Sequence, residues 1–312
     1  MKDSIPLLID TDPGVDDALA LLMAFNSPRH RLLGLCIAAG NVGLDYTTAN
    51  ALKLCEVAGV TVPVYPGCDR PLVFAAEDAS YVHGRDGFGD IGYEPSQQRP
   101  ESEHAALAIL RESHAHSGQL LLVTLGPLTN LALAVRLDPS LPSRIGRLVV
   151  MGGAVTGKGN TSIAAEFNIA FDPEAAAIVF ESFPAIELVD WEAVLRHGFL
   201  HSHFEAWLAT DNPRAGFYDR ISRKTRLWAE GKRGDFWHSA DALAMMVALY
   251  PQYIIEKQRH YLCVETVGSQ SRGSTVVDWL GRSDRPAQAE IVLQLDQARF
   301  EERIRDALGA HG

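Results

Sequence analysis

Short apolar runs alternate with longer stretches of helical period along this chain, and that alternation restricts its fold more than any other feature. Residues 5–9, 31–39, 62–65, 120–125, 148–151, 185–189, 261–267 and 288–295 read as strands. Residues 18–25, 46–58, 102–117, 128–137, 241–250 and 300–308 read as helices, and another starts near Pro173. Runs that are apolar throughout suit strands buried on both faces, which are joined to parallel neighbours by crossover helices. The repeated order predicts an α/β fold of Rossmann-like, three-layer form, with a mostly parallel central sheet between helices. Residues 66–100, rich in Gly, Pro and charge, read as a long loop, and a Lys/Arg-rich segment covers 220–233. No internal repeat or linker divides the chain, so residues 1–312 read as one domain.

Composition narrows the function classes. With 47% hydrophobic and 21% charged residues, the chain has an ordinary globular make-up rather than a disordered one. Its 28 Lys and Arg against 39 Asp and Glu leave a net charge of −11. Such an acidic chain is ill suited to binding nucleic acid or an anionic membrane through general charge. No apolar run approaches the length of a membrane span. The first run is interrupted by Pro6 and Asp10 and is too short for a signal peptide. Cys36, Cys55, Cys68 and Cys263 form no Cys-x-x-Cys pair. Reduced thiols and a cytoplasmic location are the expectation.

In parallel α/β sheets ligands bind at the carboxyl ends of strands. The first strand here runs into Asp10-Thr11-Asp12-Pro13-Gly14-Val15-Asp16-Asp17. Asp10 and Asp12, two apart at a strand end, point to one side. Pro13 and Gly14 turn the chain, and Asp16 and Asp17 fall where a helix start favours negative charge. Carboxylates this close repel one another. Raised pKa values relieve that repulsion, and so, more simply, does a hard divalent cation held by oxygen ligands. A cap and solvated acids would account for Asp16 and Asp17, but not for Asp10 and Asp12 at the end of a buried strand. An EF-hand is excluded, because the twelfth position from Asp10 is Leu21. The Asp-x-Asp nucleophile of haloacid dehalogenase-type phosphatases is a poorer match, with Gly14 where Thr or Val is usual. Gly152 to Lys158 nearly spells a phosphate-binding loop, but Gly159 replaces the Ser or Thr that would meet magnesium.

Asp-Thr-Asp-Pro-Gly-Val-Asp-Asp-Ala, residues 10–18, resembles the signature of the inosine–uridine-preferring nucleoside hydrolases. Further stretches are similar to that family in the same order: Gly40-Asn41, Asn50-Ala51-Leu52, Gly126-Pro127-Leu128-Thr129-Asn130-Leu131-Ala132 and Met151-Gly152-Gly153-Ala154. Gly159-Asn160, Ala165-Glu166-Phe167-Asn168-Ile169, Asp172-Pro173-Glu174-Ala175 and residues 271–279 complete the set. The landmarks cover most of the chain.

The resemblance implies calcium-dependent hydrolysis of the N-glycosidic bond of a ribonucleoside to ribose and free base. It implies Asp12, Asp17, the backbone carbonyl of Leu125 and Asp241 as calcium ligands, with Asp12 also the base that activates a metal-bound water. Asp16, Asn41, Met151, Asn160, Glu166, Phe167 and Asn168 match the substrate-binding positions, and Asp10 matches a residue that orients the ligands. A homodimer or homotetramer is implied as well. The chemistry suits these residue types: carboxylates stabilise a ribosyl cation, calcium acidifies water, and amides bond several hydroxyls at once. If extended, Glu166 and Asn168 would share a face.

One position departs from the pattern. Members of the family carry a His directly before the last metal-binding Asp, and here that residue is Ala240. His238 and His83 are the two candidates for protonating or contacting the leaving base. His238 lies three residues before Asp241, one turn back if the helix has begun. Phe167, Trp228, Trp237 and Tyr218 are candidates for stacking on the base, and Arg226 for a lid. The alternatives are a metal-dependent phosphatase and, because of Ala240, a catalytically weak nucleoside- or ribose-binding protein.

Overall fold

The computed structural model describes residues 4–310. Its strands are β1 (Ile5–Thr11), β2 (His30–Ile37), β3 (Val64–Pro66), β4 (Leu120–Thr124), β5 (Ile145–Met151), β6 (Ile186–Val189), β7 (Phe199–Leu200), β8 (Phe236–Trp237), β9 (Ile254–His260), β10 (Leu262–Val264), β11 (Thr275–Val277) and β12 (Ala289–Leu295). Eight of them form one sheet in the order β3-β2-β1-β4-β5-β6-β12-β9. Neighbours are parallel except for the edge strand β9, which runs against β12. β7 with β8 and β10 with β11 make two small antiparallel pairs.

Alternate residues of each central strand enter different cores, as the two-residue period of a strand requires. Leu7, Ile9, Leu35, Ile37, Leu121, Val123, Val149 and Met151 pack with the helices Val15–Phe25, Ala240–Leu249 and Gln297–Leu308. Leu8, Cys36, Leu120, Leu122, Leu148 and Val150 pack on the other side with the helices Ala105–Ala115, Thr129–Leu137 and Pro173–Ser182. These are the three α/β layers expected. The apolar runs are unbroken because both faces of these strands are covered.

The chain winds outward from β1 through β2 to β3 on one side, and from β4 through β5 to β6 on the other. β1 and β4 therefore flank the point where the winding reverses, and their carboxyl ends open a crevice there. The Leu125 N–H donates to the Asp10 carbonyl at 2.8 Å across that point, so the ends of the two strands are tied together.

Several elements differ from expectation. β9, Ile-Ile-Glu-Lys-Gln-Arg-His, was missed because it is a polar edge strand, where charge guards against further pairing. The helix at Val15 begins three residues before the expected start, because Asp17 caps it by accepting from Gly14 N at 2.9 Å. The Lys/Arg-rich segment belongs to a long helix, Pro213–Arg233, opened by the Asn212 side chain accepting from Arg214 N. Within residues 66–100 only Ser80–His83 is helical. All four cysteines are unbridged, and no described helix is long and apolar enough to cross a membrane.

The two-sided burial predicts an asymmetry in mutational cost. Leu122 is 0% exposed, so Leu122→Ala should cost about 2–5 kcal/mol. It should lower the urea midpoint without changing the slope. Lys257, on the polar edge strand, should tolerate Ala within about 0.5 kcal/mol.

Candidate active site

The end of β1 delivers a set of buried carboxylates to the crevice. Asp10, Asp12, Asp17 and Asp241 are each no more than 3% exposed. Asp12 is clasped from both sides. A Cβ on Gly40 would stand 2.1 Å from its Oδ2, and one on Gly126 would stand 2.3 Å from its Oδ1. These two glycines, one after β2 and one after β4, exist at those positions because nothing larger leaves room for the carboxylate. Oδ2 accepts from the Asn41 backbone N–H at 2.7 Å. Oδ1 is buried and has no hydrogen-bond partner.

Asp17 is bound on both oxygens. Oδ1 accepts from the Thr11 hydroxyl at 2.5 Å and the Asp12 N–H at 3.3 Å. Oδ2 accepts from the Gly14 N–H and the Asn41 side-chain amide, both at 2.9 Å. Asp10 accepts from the Asn130 amide at 2.8 Å through Oδ1, while its buried Oδ2 has no partner. Asn130 also donates to the Ile37 carbonyl and accepts from Cys68 N–H, so one amide ties β1, β2 and the loop after β3 together.

Burial drives the protonation chemistry. It lifts Asp10 to about 7 against the Asn130 bond. It lifts Asp17 to about 6, with the charge of Asp16 adding to it and the Thr11 bond opposing it. Asp12 and Asp241 are raised well above the carboxylate range, first by burial and then by each other's acidic neighbours. Without a counter-charge these groups cannot all be ionised together. Among the described residues, ligand oxygens of Asp16, Asp17 and Asp241 lie within 4.8 Å of one another. An all-oxygen donor set beside an unpaired Asp12 Oδ1 fits a hard divalent cation. The expected set named Asp12 and Leu125 with Asp17 and Asp241, whereas the geometric cluster brings in Asp16.

Above these acids lies a cavity of about 100 Å³. Asp16, Asn41, Leu125, Met151, Asn160, Glu166, Phe167, Asn168, His83, His238 and Asp241 all line it. Asp10, Asp12 and Asp17 lie outside that lining. The extended arrangement that would put Glu166 and Asn168 on one face is not formed: Glu166 caps a short helix, Phe167–Phe171, which contains Asn168. Its Oε2 accepts from Gly153, Asn168 and Ile169 N–H groups, and burial still raises it to about 7.

The three amides have divided duties. Asn168 donates to the Leu125 carbonyl at 2.6 Å and to Met151, and Asn41 donates to the Asp12 carbonyl and Asp17. Their oxygens remain to accept from a ligand. Asn160 is reversed, because its Oδ1 accepts from Phe167 N–H at 2.9 Å, leaving its NH2 group to donate. A polyol needs both kinds of partner.

His83 is held by its Nδ1, which accepts from the Val15 N–H at 3.1 Å. The neutral ring therefore carries its proton on Nε2. While that bond holds, Nδ1 cannot also carry the proton that an ion pair with Asp16, 3.9 Å away, would need. His238 precedes the helix that starts at Ala240, so the one-turn spacing to Asp241 does not apply, yet both residues line the cavity. Trp228 and Trp237 are on the wall. Tyr218 is fully buried outside the lining, its ring edge-on to Phe204 and its phenol within reach of the Asp16 and Asp241 charges. Arg226 is also buried and bonds Ser222 and Asp219 on its own helix, so it is no lid.

Sequence reasoning missed Tyr81, Trp191 and Thr225 on the wall and Thr11 beneath it. Tyr81 meets Trp228 edge-on, with centroids 6.4 Å apart. Nothing in the local sequence marks these residues; for Tyr81 and Thr225 only the approach of Ser80–His83 to the long helix does.

The family model for inosine-uridine preferring nucleoside hydrolases matches residues 7–302. The non-specific ribonucleoside hydrolase RihC of Klebsiella pneumoniae subsp. pneumoniae is 36% identical over 298 residues, 95% of this chain and 96% of its own. Among solved structures, an inosine-guanosine nucleoside hydrolase superimposes with a TM-score of 0.91 at 31% identity, covering 99% of this chain and 100% of its own. The plant nucleoside hydrolase PpNRh1 does so with a TM-score of 0.92 at 29% identity, with the same coverage. The chain belongs to the inosine-uridine preferring nucleoside hydrolases, enzymes that hydrolyse the N-glycosyl bond of ribonucleosides.

Proposed function

We propose that residues 1–312 form one catalytic unit in which calcium is held by Asp12, Asp17, Asp241 and the Leu125 carbonyl. In this reading Asp12 takes the proton of the water that attacks the ribose. The observation that carries it is the Asp12 carboxylate: fully buried, cleared by two glycines, and left with one unpartnered oxygen beside other buried acids. Bound there, calcium would offset the carboxylate charge, acidify a water and grip vicinal ribose hydroxyls.

The protein supplies the rest. Asp16 and the oxygens of Asn41 and Asn168 accept from ribose hydroxyls, and Asn160 donates to one. Glu166 keeps Oε1 for the sugar, because its Oε2 is spent on three backbone N–H groups. As the glycosidic bond breaks, the ribosyl ring gains positive charge, which the surrounding carboxylates stabilise. A single base acting on water, with no covalent carboxylate, gives inversion at the anomeric carbon.

Ala240 has no proton to give, so the leaving base is served by other residues of the cavity wall. His83 presents a neutral Nε2–H, with His238 the second donor, and Phe167, Tyr81 and Trp228 pack around the ring. The family match removes the phosphatase alternative. We further propose a homodimer or homotetramer and a cytoplasmic location.

Three outcomes test this reading. Asp12→Asn should lower kcat by about 10²–10⁴-fold, the usual worth of a general base, while circular dichroism stays native; near-normal turnover would remove Asp12 as the base. Gly126→Ala should cost turnover on a similar scale, because its Cβ takes the space of Asp12 Oδ1. A calcium chelator should stop ribose release in a reducing-sugar assay across purine and pyrimidine ribonucleosides. Added calcium should restore it and raise the melting temperature, as a ligand of the native state must. Full turnover after exhaustive chelation would refute the metal assignment.

A further inference from the structure

The tail around Ser271-Arg272-Gly273 touches two walls of the cavity without lining it. On one side it borders the ribose wall. Ser274 makes a backbone bridge to Ala165, directly before Glu166. A Cβ on Gly273, which holds a φ of +81°, would stand 2.8 Å from the Ala170 Cα. Only glycine permits that approach and that backbone.

On the other side Arg272 reaches the strap of residues 72–79. Its guanidinium grips Glu174 with two parallel bonds of 2.6 and 2.8 Å, and donates to the Thr266 carbonyl. Fixed in that fork, it lies over the Phe74 ring with 4.7 Å to the centroid. The strap is pinned at its ends by Leu72 N–H to Asp172 Oδ2 at 2.9 Å and by Ala79 N–H to the Asn41 carbonyl at 3.0 Å. Between those pins the side chains of residues 73–78 are exposed. Beyond the second pin come Tyr81 and His83, on the base side of the cavity.

We propose that Arg272 is a positioning residue for catalysis: by clamping Phe74 while its neighbours brace Ala165 and Ala170, it sets the base-side strap against the ribose wall. It touches no substrate. Glu174 orients it, and Phe74 transmits its position. Lysine cannot replace it in full, because a point charge lacks both the fork and the flat face. The inference rests on the nucleoside hydrolase reading for the identity of the two walls.

The test uses whichever ribonucleoside the wild-type protein cleaves fastest, so that failure of the functional reading shows in the wild type alone. Arg272→Gln and Phe74→Ala should each raise KM about two- to fivefold, the scale of an exposed cation–π contact, with kcat changed less than twofold. Arg272→Lys should fall between Arg272→Gln and the wild type. The double variant should be no worse than the worse single, because both act through one contact. Hydrogen exchange should rise in residues 72–83 in each single variant. Unchanged KM in Phe74→Ala, or multiplicative effects in the double variant, would overturn the proposal. So would loss confined to the melting temperature, since that is what a merely structural salt bridge would give.

Discussion

Everything in this molecule turns on keeping several carboxylates out of water at the seam between β1 and β4. Desolvation alone pushes them toward the neutral form, and their mutual repulsion pushes further. The surrounding sequence is organised to hold them regardless. Gly40 and Gly126 leave space for Asp12, Thr11 and Asn41 bind Asp17, and Asn130 binds Asp10. The supports come from the end of β1, the turns after β2 and β4, and the start of the helix Thr129–Leu137. The parallel sheet brings those ends to one edge, and its winding leaves a gap between them.

That dependence explains which parts were legible in the sequence. The central strands announced themselves because both faces are buried, so Leu120–Thr124 is apolar at almost every position. The acids announced themselves because charge at the end of such a run has no packing reason to be there. β9 was hidden because an edge strand has the composition of a loop, with Glu256, Lys257 and Arg259 in its middle. The short helix after Glu166 was hidden because its signal is a cap formed by a residue also needed in the cavity. The motif resemblance named the ribose side chains, but the division of labour among Asn41, Asn160 and Asn168 is a matter of which amide end the backbone already occupies. That is visible only in three dimensions.

The aromatic residues show the same boundary. Tyr218 and Trp237 sit on the same part of the chain and look alike as stacking candidates. Both rings pack on Phe204, but only Trp237 also lines the cavity. No periodicity distinguishes them, because the choice depends on how the helix Pro213–Arg233 lies across the sheet. Tyr81 and Trp228, likewise, meet only because a turn from one end of the chain and that helix converge.

The two halves of the cavity are thus built from different material. The acid floor rests on the end of β1 and the starts of the helices Val15–Phe25 and Ala240–Leu249, all packed into the buried core. The base side rests on a four-residue helix, an exposed strap and the end of a long helix, all joined by a few side-chain contacts. Ala240 in place of the expected His belongs to this softer half: it begins the helix that carries Asp241 but adds nothing to the acid cluster. His83, on the cavity wall, has its Nδ1 fixed by the first N–H of the helix that also carries Asp17. One helix start thus positions both a buried acid of the cluster and an imidazole of the cavity wall, and their separation is set by the fold rather than by either loop.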